Sequence, residues 1–103
     1  MENLILEKPY KIIDIKKIKE DNTYETRTDD LYPQRIESIV NFYLKPLAGS
    51  SCCMNYLFDN QGNEKTGTII TSNVIDVDVS DSVTHKIMTI YTLNSVYILE
   101  EVE

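Results

Sequence analysis

The chain contains the run VIDVDV at residues 74–79, and this run decides the fold. In an extended backbone successive side chains point to opposite faces, so every second residue shares a face. One such face is apolar and consists of Ile75, Val77 and Val79. Asp76 and Asp78 occupy the other face. The run is therefore predicted to be a strand with its apolar side in the core and its acidic side in solvent.

The same two-residue period recurs in IESIVNFYLK, at residues 36–45. The predicted inward face of this strand consists of Ile36, Ser38, Val40, Phe42 and Leu44. After a turn at residues 46–51, the next strand has a predicted inward row made of Cys52, Met54, Tyr56 and Phe58. Residues 59–63 have the composition of a tight hairpin turn, in which Gly62 can adopt a positive φ. Both stretches thus indicate strands that are buried on one side.

The rest of the chain is predicted to form further short strands separated by turns. These strands cover residues 10–18, 23–28, 65–71, 85–92 and 96–99, with turns at 20–22 and 80–82 and a short helical turn at 93–95, as in SH3-like barrels. Residues 29–35 are predicted to be a loop, because paired aspartates and a proline oppose regular structure. The expected fold is all-β: a small, twisted antiparallel barrel (SH3-like) or a two-sheet sandwich of six to seven short strands.

The length of 103 residues corresponds to one domain. We predict a single β domain over residues 1–103, with flexible ends at residues 1–9 and 100–103. No stretch reaches the ~20 apolar residues of a membrane helix, and the first ten residues lack the apolar core of a signal peptide. Cys52 and Cys53 are neighbours, which fits a reduced compartment. A cytoplasmic protein that does not enter a membrane is expected.

The formal net charge of −7 argues against direct binding to nucleic acids, since phosphates must be met by clustered Lys and Arg. The charge is uneven, because both arginines lie in the first half. After Lys45, eight carboxylates face only two lysines. The acidic second half therefore suggests a contact surface for a partner protein, with Asp76, Asp78 and Glu100 as its predicted residues.

The loop at residues 27–35 is the strongest candidate for a ligand site. Arg27 and Arg35 can pair with phosphate, and Tyr32 can stack on a base, so the loop can form a pocket for an anionic, nucleotide-like ligand. The alternative is that the two arginines pair with the loop's adjacent aspartates, and that Tyr32 packs on the end of the barrel. The sequence leaves both interpretations open.

Two short polar clusters lie at predicted strand ends. They consist of Thr71, Ser72 and Asn73 in one, and of Asn94 and Ser95 in the other. Such clusters can supply hydrogen bonds to a ligand in the same pocket. Since these residue types also form turns, a purely structural role is the alternative.

The sequence contains no recognisable catalytic or metal-binding set. The spacing of Asp76, Asp78 and Asp81 superficially resembles a calcium loop, but the glycine and the distal glutamate of that loop are missing. His85 is the only histidine, and no strained Gly-x-Ser-x-Gly turn accompanies it. We therefore predict no enzymatic activity, no metal and no cofactor.

Three segments carry a family resemblance: RTDDLYPQRI at residues 27–36, TSNV at 71–74 and TLNSVY at 92–97. Together they resemble small uncharacterised proteins of phages and mobile elements of Gram-positive bacteria. The resemblance implies an inhibitor of host defence that blocks a host protein or sequesters a signalling nucleotide, in the cytoplasm of the host cell. It assigns no binding residues.

These observations predict a non-enzymatic binding module whose partner is a host protein or a small anionic ligand. The alternative is an oligomeric structural or adaptor subunit of a virion or mobile-element assembly, in which exposed strand edges and aromatic residues serve self-association. An uncharacterised enzyme is the third alternative.

Overall fold

The computed structural model describes residues 6–81 and 86–102, and six of its strands close into an antiparallel ring. The elements are β1 (Leu6–Ile18), β2 (Tyr24–Thr26), α1 (Tyr32–Arg35), β3 (Ile39–Phe42), β4 (Ser51–Phe58), β5 (Thr68–Asp81), β6 (Lys86–Thr92) and β7 (Val96–Glu101). The ring runs β1, β3, β4, β5, β6, β7, and β7 pairs back onto β1. The structure confirms the all-β prediction and has the barrel rather than the two-sheet sandwich.

β1 closes the barrel because it is long enough to pair with three neighbours. Its first part pairs with β3, the segment from Tyr10 to Lys16 pairs with β7, and its last three residues pair with β2. β2 therefore lies outside the ring, next to β1 only. The chain between β2 and β3 returns along β1, where the Arg27 amide donates to the Ile15 carbonyl oxygen at 2.8 Å.

The inward side chains of the ring strands form one core. Its buried members are Tyr10, Ile12, Ile15, Val40, Phe42, Cys52, Met54, Ile69, Val74, Met88, Ile90, Tyr97 and Leu99. The predicted alternation is confirmed in β3 and in the first half of β4. It was extended too far in both strands, since Leu44 lies beyond the end of β3 and Phe58 lies at the end of β4, and both are exposed.

β5 corrects two predictions. Residues 71–73 do not end a strand, because β5 is continuous and changes partner from β4 to β6 at this point. Val74 pairs with Thr92 while Asp76 pairs with Tyr91, so Ile75 is an extra residue in a β-bulge. The bulge turns Ile75 outward, while Val74 is buried and Val77 packs on the core. Val79 shares a face with Val77 but lies near the end of β5, where it is exposed. The predicted burial of Ile75 and Val79 was therefore wrong.

Two local predictions are also corrected. The predicted loop at residues 29–35 contains the short helix α1, whose first turn accommodates Pro33 because that position needs no amide donor. The connection at residues 93–95 is a bend rather than a helical turn. Gly62 has a φ of 86°, as its predicted turn requires.

Of the ends expected to be flexible, residues 6–9 belong to β1 and residues 100–101 belong to β7. The turn expected at residues 80–82 is wrong for its first two residues, because Ser80 and Asp81 belong to β5 and pair with β6. Ser82 and the strand start expected at His85 lie outside the described residues. Within the described ranges, no helix has the length and apolar character needed to cross a membrane.

Candidate functional site

Arg27 links the chain after β2 to the bend at residues 93–95. Its Nε and Nη2 donate to the two carboxylate oxygens of Asp29, at 3.2 and 2.9 Å. Its Nη1 donates to the Asn94 backbone oxygen at 2.7 Å and to Ser95 Oγ at 3.0 Å. The hydrogen bond from Arg27 lowers the pKa of Asp29, and the same bond raises the pKa of Arg27. The Arg27 side chain, only 15% exposed, therefore links two connections that are distant in sequence.

Tyr32 lies between both arginines of the predicted ligand loop. The guanidinium carbons of Arg27 and Arg35 lie 4.2 and 5.1 Å from the centre of its ring, within the range of cation–π contacts. Arg35 Nη1 donates to the hydroxyl of Tyr97 at 3.3 Å. Burial raises the pKa of Tyr97, and the positive charge of Arg35 opposes this effect.

The ion-paired interpretation of the loop thus holds for Arg27 and Asp29. Tyr32 packs against the core, as that interpretation expected. In the part of the chain that the structure describes, no carboxylate lies within 4.0 Å of Arg35, and Asp30 forms no ion pair. Arg27 is therefore paired with a carboxylate, whereas the guanidinium of Arg35 contacts the aromatic residues Tyr32 and Tyr97.

The two polar clusters meet at the same bend. The Asn94 amide donates to Ser72 Oγ at 3.2 Å, and the Leu93 amide donates to the Asn73 carbonyl oxygen at 3.1 Å. Arg27 is hydrogen-bonded to the bend on one side, and Ser72 and Asn73 of β5 are hydrogen-bonded to it on the other. The structure brings these residues together, but most of their hydrogen bonds are made to neighbouring residues such as Arg27, Ser51 and Thr92.

Thr71 points inward and is not presented to a ligand. Its hydroxyl accepts a hydrogen bond from the Cys52 amide at 3.0 Å and donates to the Ser72 carbonyl oxygen at 2.7 Å. Because the side chain is buried, these bonds satisfy it within the barrel wall. Thr71 therefore has a structural role at the point where β5 changes partner.

A groove of about 530 Å³ lies beside the bend, on the outer face of the barrel. We call it the bend groove. Its apolar lining includes four side chains that are 49–66% exposed: Ile18, Tyr24, Ile75 and Leu93. Ile18 and Tyr24 are cross-strand partners at the tip of β1 and β2, whereas the other two side chains belong to β5 and the bend. Large apolar side chains are thus left in water on facing walls.

The carboxylates of Asp76 and Asp78 line the β5 side of the bend groove, and Asn94 and Ser95 line it at the bend. No described lining residue is Lys or Arg. Glu100, the third predicted contact residue, lies on β7 opposite Lys11 and Ile87, about 13 Å along the strand from Val96. The structure therefore brings four predicted residues into one groove and leaves Glu100 outside it.

Comparison with families of known proteins, with curated proteins and with solved structures gives no significant match for this chain. The function has to be argued from the geometry.

Other reactive groups give no second site. Burial raises the pKa of the Cys52 thiol to about 12, so this group stays protonated at neutral pH, while Cys53 is exposed. Within residues 6–81 and 86–102, no three side chains of His, Cys, Asp and Glu are grouped to hold a metal ion. The bend groove combines exposed apolar side chains with four of the predicted site residues, and the proposed function is based on it.

The sequence did not identify the apolar walls of this groove. Ile75 was assigned to the core, and Ile18, Tyr24 and Leu93 were not singled out. A bulge leaves no composition signal of its own, because it arises from how two distant strands pair. The acidic alternation at Asp76 and Asp78 was the one local signal that pointed to this surface.

Proposed function

We propose that the protein is a non-enzymatic module that binds another protein and covers part of its surface through the bend groove. The observation that supports this is the facing pair of exposed apolar walls with carboxylates along one side. Contiguous apolar surface exposed to water is unfavourable and marks interaction sites, and charged groups at such a site orient the partner. A volume of about 530 Å³ is also within the usual range of binding clefts.

A protein partner fits this site better than a small anion does. The hydrogen bonds to Asp29, Asn94 and Ser95 use four of the five N–H donors of Arg27, so little of that guanidinium is left for a phosphate. Asp76 and Asp78 repel anions from the groove itself. The resemblance to phage proteins makes a host protein in the host cytoplasm the partner we propose, and blocking it the proposed activity.

Affinity capture from a Gram-positive host lysate, with quantitative mass spectrometry, tests this proposal. The groove variant combines Tyr24→Ser with Leu93→Ser. The control combines Tyr43→Ser with Leu47→Ser, two side chains that are 64% and 60% exposed elsewhere. We expect a protein that is retained by the wild type and the control and lost with the groove variant. Equal retention by all three proteins would exclude the groove as the binding surface.

A second candidate is capture of an anionic ligand at Arg35. The supporting observation is its half-buried guanidinium, which stacks on Tyr32 and has no carboxylate within 4.0 Å in the described chain. Heating the purified protein should release a nucleotide detectable by mass spectrometry, and Arg35→Gln should abolish the release. Arg27 must be kept intact in this test, because its loss disturbs the bend. If the heated protein releases no anion, capture of an anionic ligand at Arg35 is excluded.

A further inference from the structure

We infer that the bend groove takes an extended segment of the partner in which basic and apolar side chains alternate. This inference rests on the proposed function and specifies the chemistry of the partner. It follows from the spacing of the carboxylates, the charge of the groove and the fixed bend.

The carboxylates of the bend groove favour a partner with cations at a defined spacing. Asp76 and Asp78 lie on the same outer face of β5, two residues apart, which separates their Cα atoms by about 7 Å. Neither forms an ion pair with a described residue. Asp76 Oδ1 accepts a hydrogen bond from the Val77 amide at 2.9 Å, which orients that carboxylate. Two cations about 7 Å apart on a partner match this pair.

An extended segment has this spacing, because its residues i and i+2 share a face at about 7 Å, whereas neighbours on one face of a helix lie about 5–6 Å apart. The residue between two such cations points the other way. In the bend groove that direction leads away from Asp76 and Asp78, toward the apolar wall made by Ile18 and Tyr24. The groove therefore selects the pattern basic, apolar, basic.

The charge of the groove also distinguishes between partners. Asp76 and Asp78 line it, and no described lining residue is Lys or Arg, so the groove repels acidic chains. A second copy of this protein, with a net charge of −7, is disfavoured by that repulsion, whereas a basic segment is attracted.

The bend supplies a fixed polar contact. The Asn94 backbone is held by Ser72 Oγ on its amide and by Arg27 Nη1 on its carbonyl oxygen. The side-chain amide of Asn94 is exposed and forms no hydrogen bond with the described residues. Because the backbone is fixed, the side-chain amide stays at the groove, where it can bond to a partner's backbone.

Fluorescence anisotropy with labelled peptides of about eight residues tests the inference. The probe alternates lysine with valine. A peptide of the same composition with its lysines grouped together, a glutamate–valine analogue and a helix-forming peptide with lysines four residues apart serve as comparisons. We expect the alternating lysine peptide to bind about tenfold more tightly than the grouped and helical ones. The glutamate analogue should not bind.

Charge variants of equal size separate local recognition from general attraction. Asp76→Asn with Asp78→Asn should weaken binding of the alternating peptide about tenfold. The control, Asp30→Asn with Glu64→Gln, changes the net charge equally at exposed positions and should leave the affinity within about twofold. Leu93→Ser should also weaken binding while the circular dichroism spectrum stays unchanged. Equal losses in both charge variants would overturn the inference.

The outcomes also separate this inference from the proposed function. If the groove variant loses a captured host protein but the helical or grouped peptide binds as tightly as the alternating one, the function stands and the inference fails. If light scattering shows a multimer that Leu93→Ser dissociates, the occupant is a second copy, and the inference is again wrong. If no groove substitution changes capture, the proposed function itself fails.

Discussion

Arg27 shows how one side chain can shape a groove that it does not line. It contacts the carbonyl oxygen of Asn94 and the hydroxyl of Ser95 from behind, while those residues line the bend groove in front. Its planar guanidinium spans the distance to Asp29 and to the bend at once, which a lysine ammonium cannot do. Arg27 is therefore a positioning residue for the bend.

We predict that Arg27→Ala lowers the free energy of unfolding by about 2–4 kcal/mol, because it leaves several hydrogen-bonding groups at the bend without a partner. Arg27→Lys should recover less than half of this loss. Urea denaturation followed by circular dichroism measures both effects. Lys65→Ala, which removes a cation from the ring of Tyr56 at the surface, is the control and should change stability by less than about 1 kcal/mol.

The pH dependence tests the same contact independently. Because Arg27 lowers the pKa of Asp29 in the folded state, the stabilisation by the ionised carboxylate is complete above its ordinary pKa of 3.8. It is lost as the pH falls through the lowered value. The stability difference between wild type and Arg27→Ala should therefore shrink in acid and persist near neutral pH. A difference that does not change with pH would show that the bonds to the bend, rather than the ion pair, provide the stabilisation.

At the scale of single elements, local alternation predicted most strands and failed where strand pairing is irregular. The inward positions of β3 and β4 could be predicted because residues 40–42 pair with residues 54–56 without a register shift. In β5 the same reasoning placed Ile75 inward, although the bulge turns it outward. The bulge depends on how β5 meets β6, and a single-strand pattern contains no information about that partner.

Alanine substitutions in β5 test the corrected face. Val74→Ala should lower the free energy of unfolding by about 2 kcal/mol, because it leaves a cavity in the core. Ile75→Ala removes more atoms but should change stability by less than about 0.5 kcal/mol, since its side chain is already in water. Thermal or urea denaturation of the two variants shows which of the two side chains faces the core. A larger loss for Ile75 than for Val74 would restore the original prediction and place the bulge elsewhere.

For the whole molecule, the strand content, the small β domain and the barrel as one of two architectures could be predicted, but the strand pairs that close the barrel could not. Closure depends on β1 pairing with β7, for example Lys16 with Val96, and no local signal specifies partners so distant in sequence. The bend groove has the same origin, because its walls come from both ends of the chain. The acidic wall was predicted from sequence, whereas the apolar walls required the closed barrel.

Closure leaves β2 as the strand outside the ring, and hydrogen exchange should show this difference. All three residues of β2 are exposed, and they pair only with β1. We expect β2 amides to exchange through local opening, several kcal/mol below the global free energy of unfolding, while Ile90 and Leu99 exchange only on global unfolding. NMR-detected exchange at increasing denaturant measures both. If the β2 amides were as protected as those of the ring strands, the part of the groove wall that contains Tyr24 would be rigid before binding. If β2 opens locally, a partner that covers Tyr24 must slow the exchange of the β2 amides.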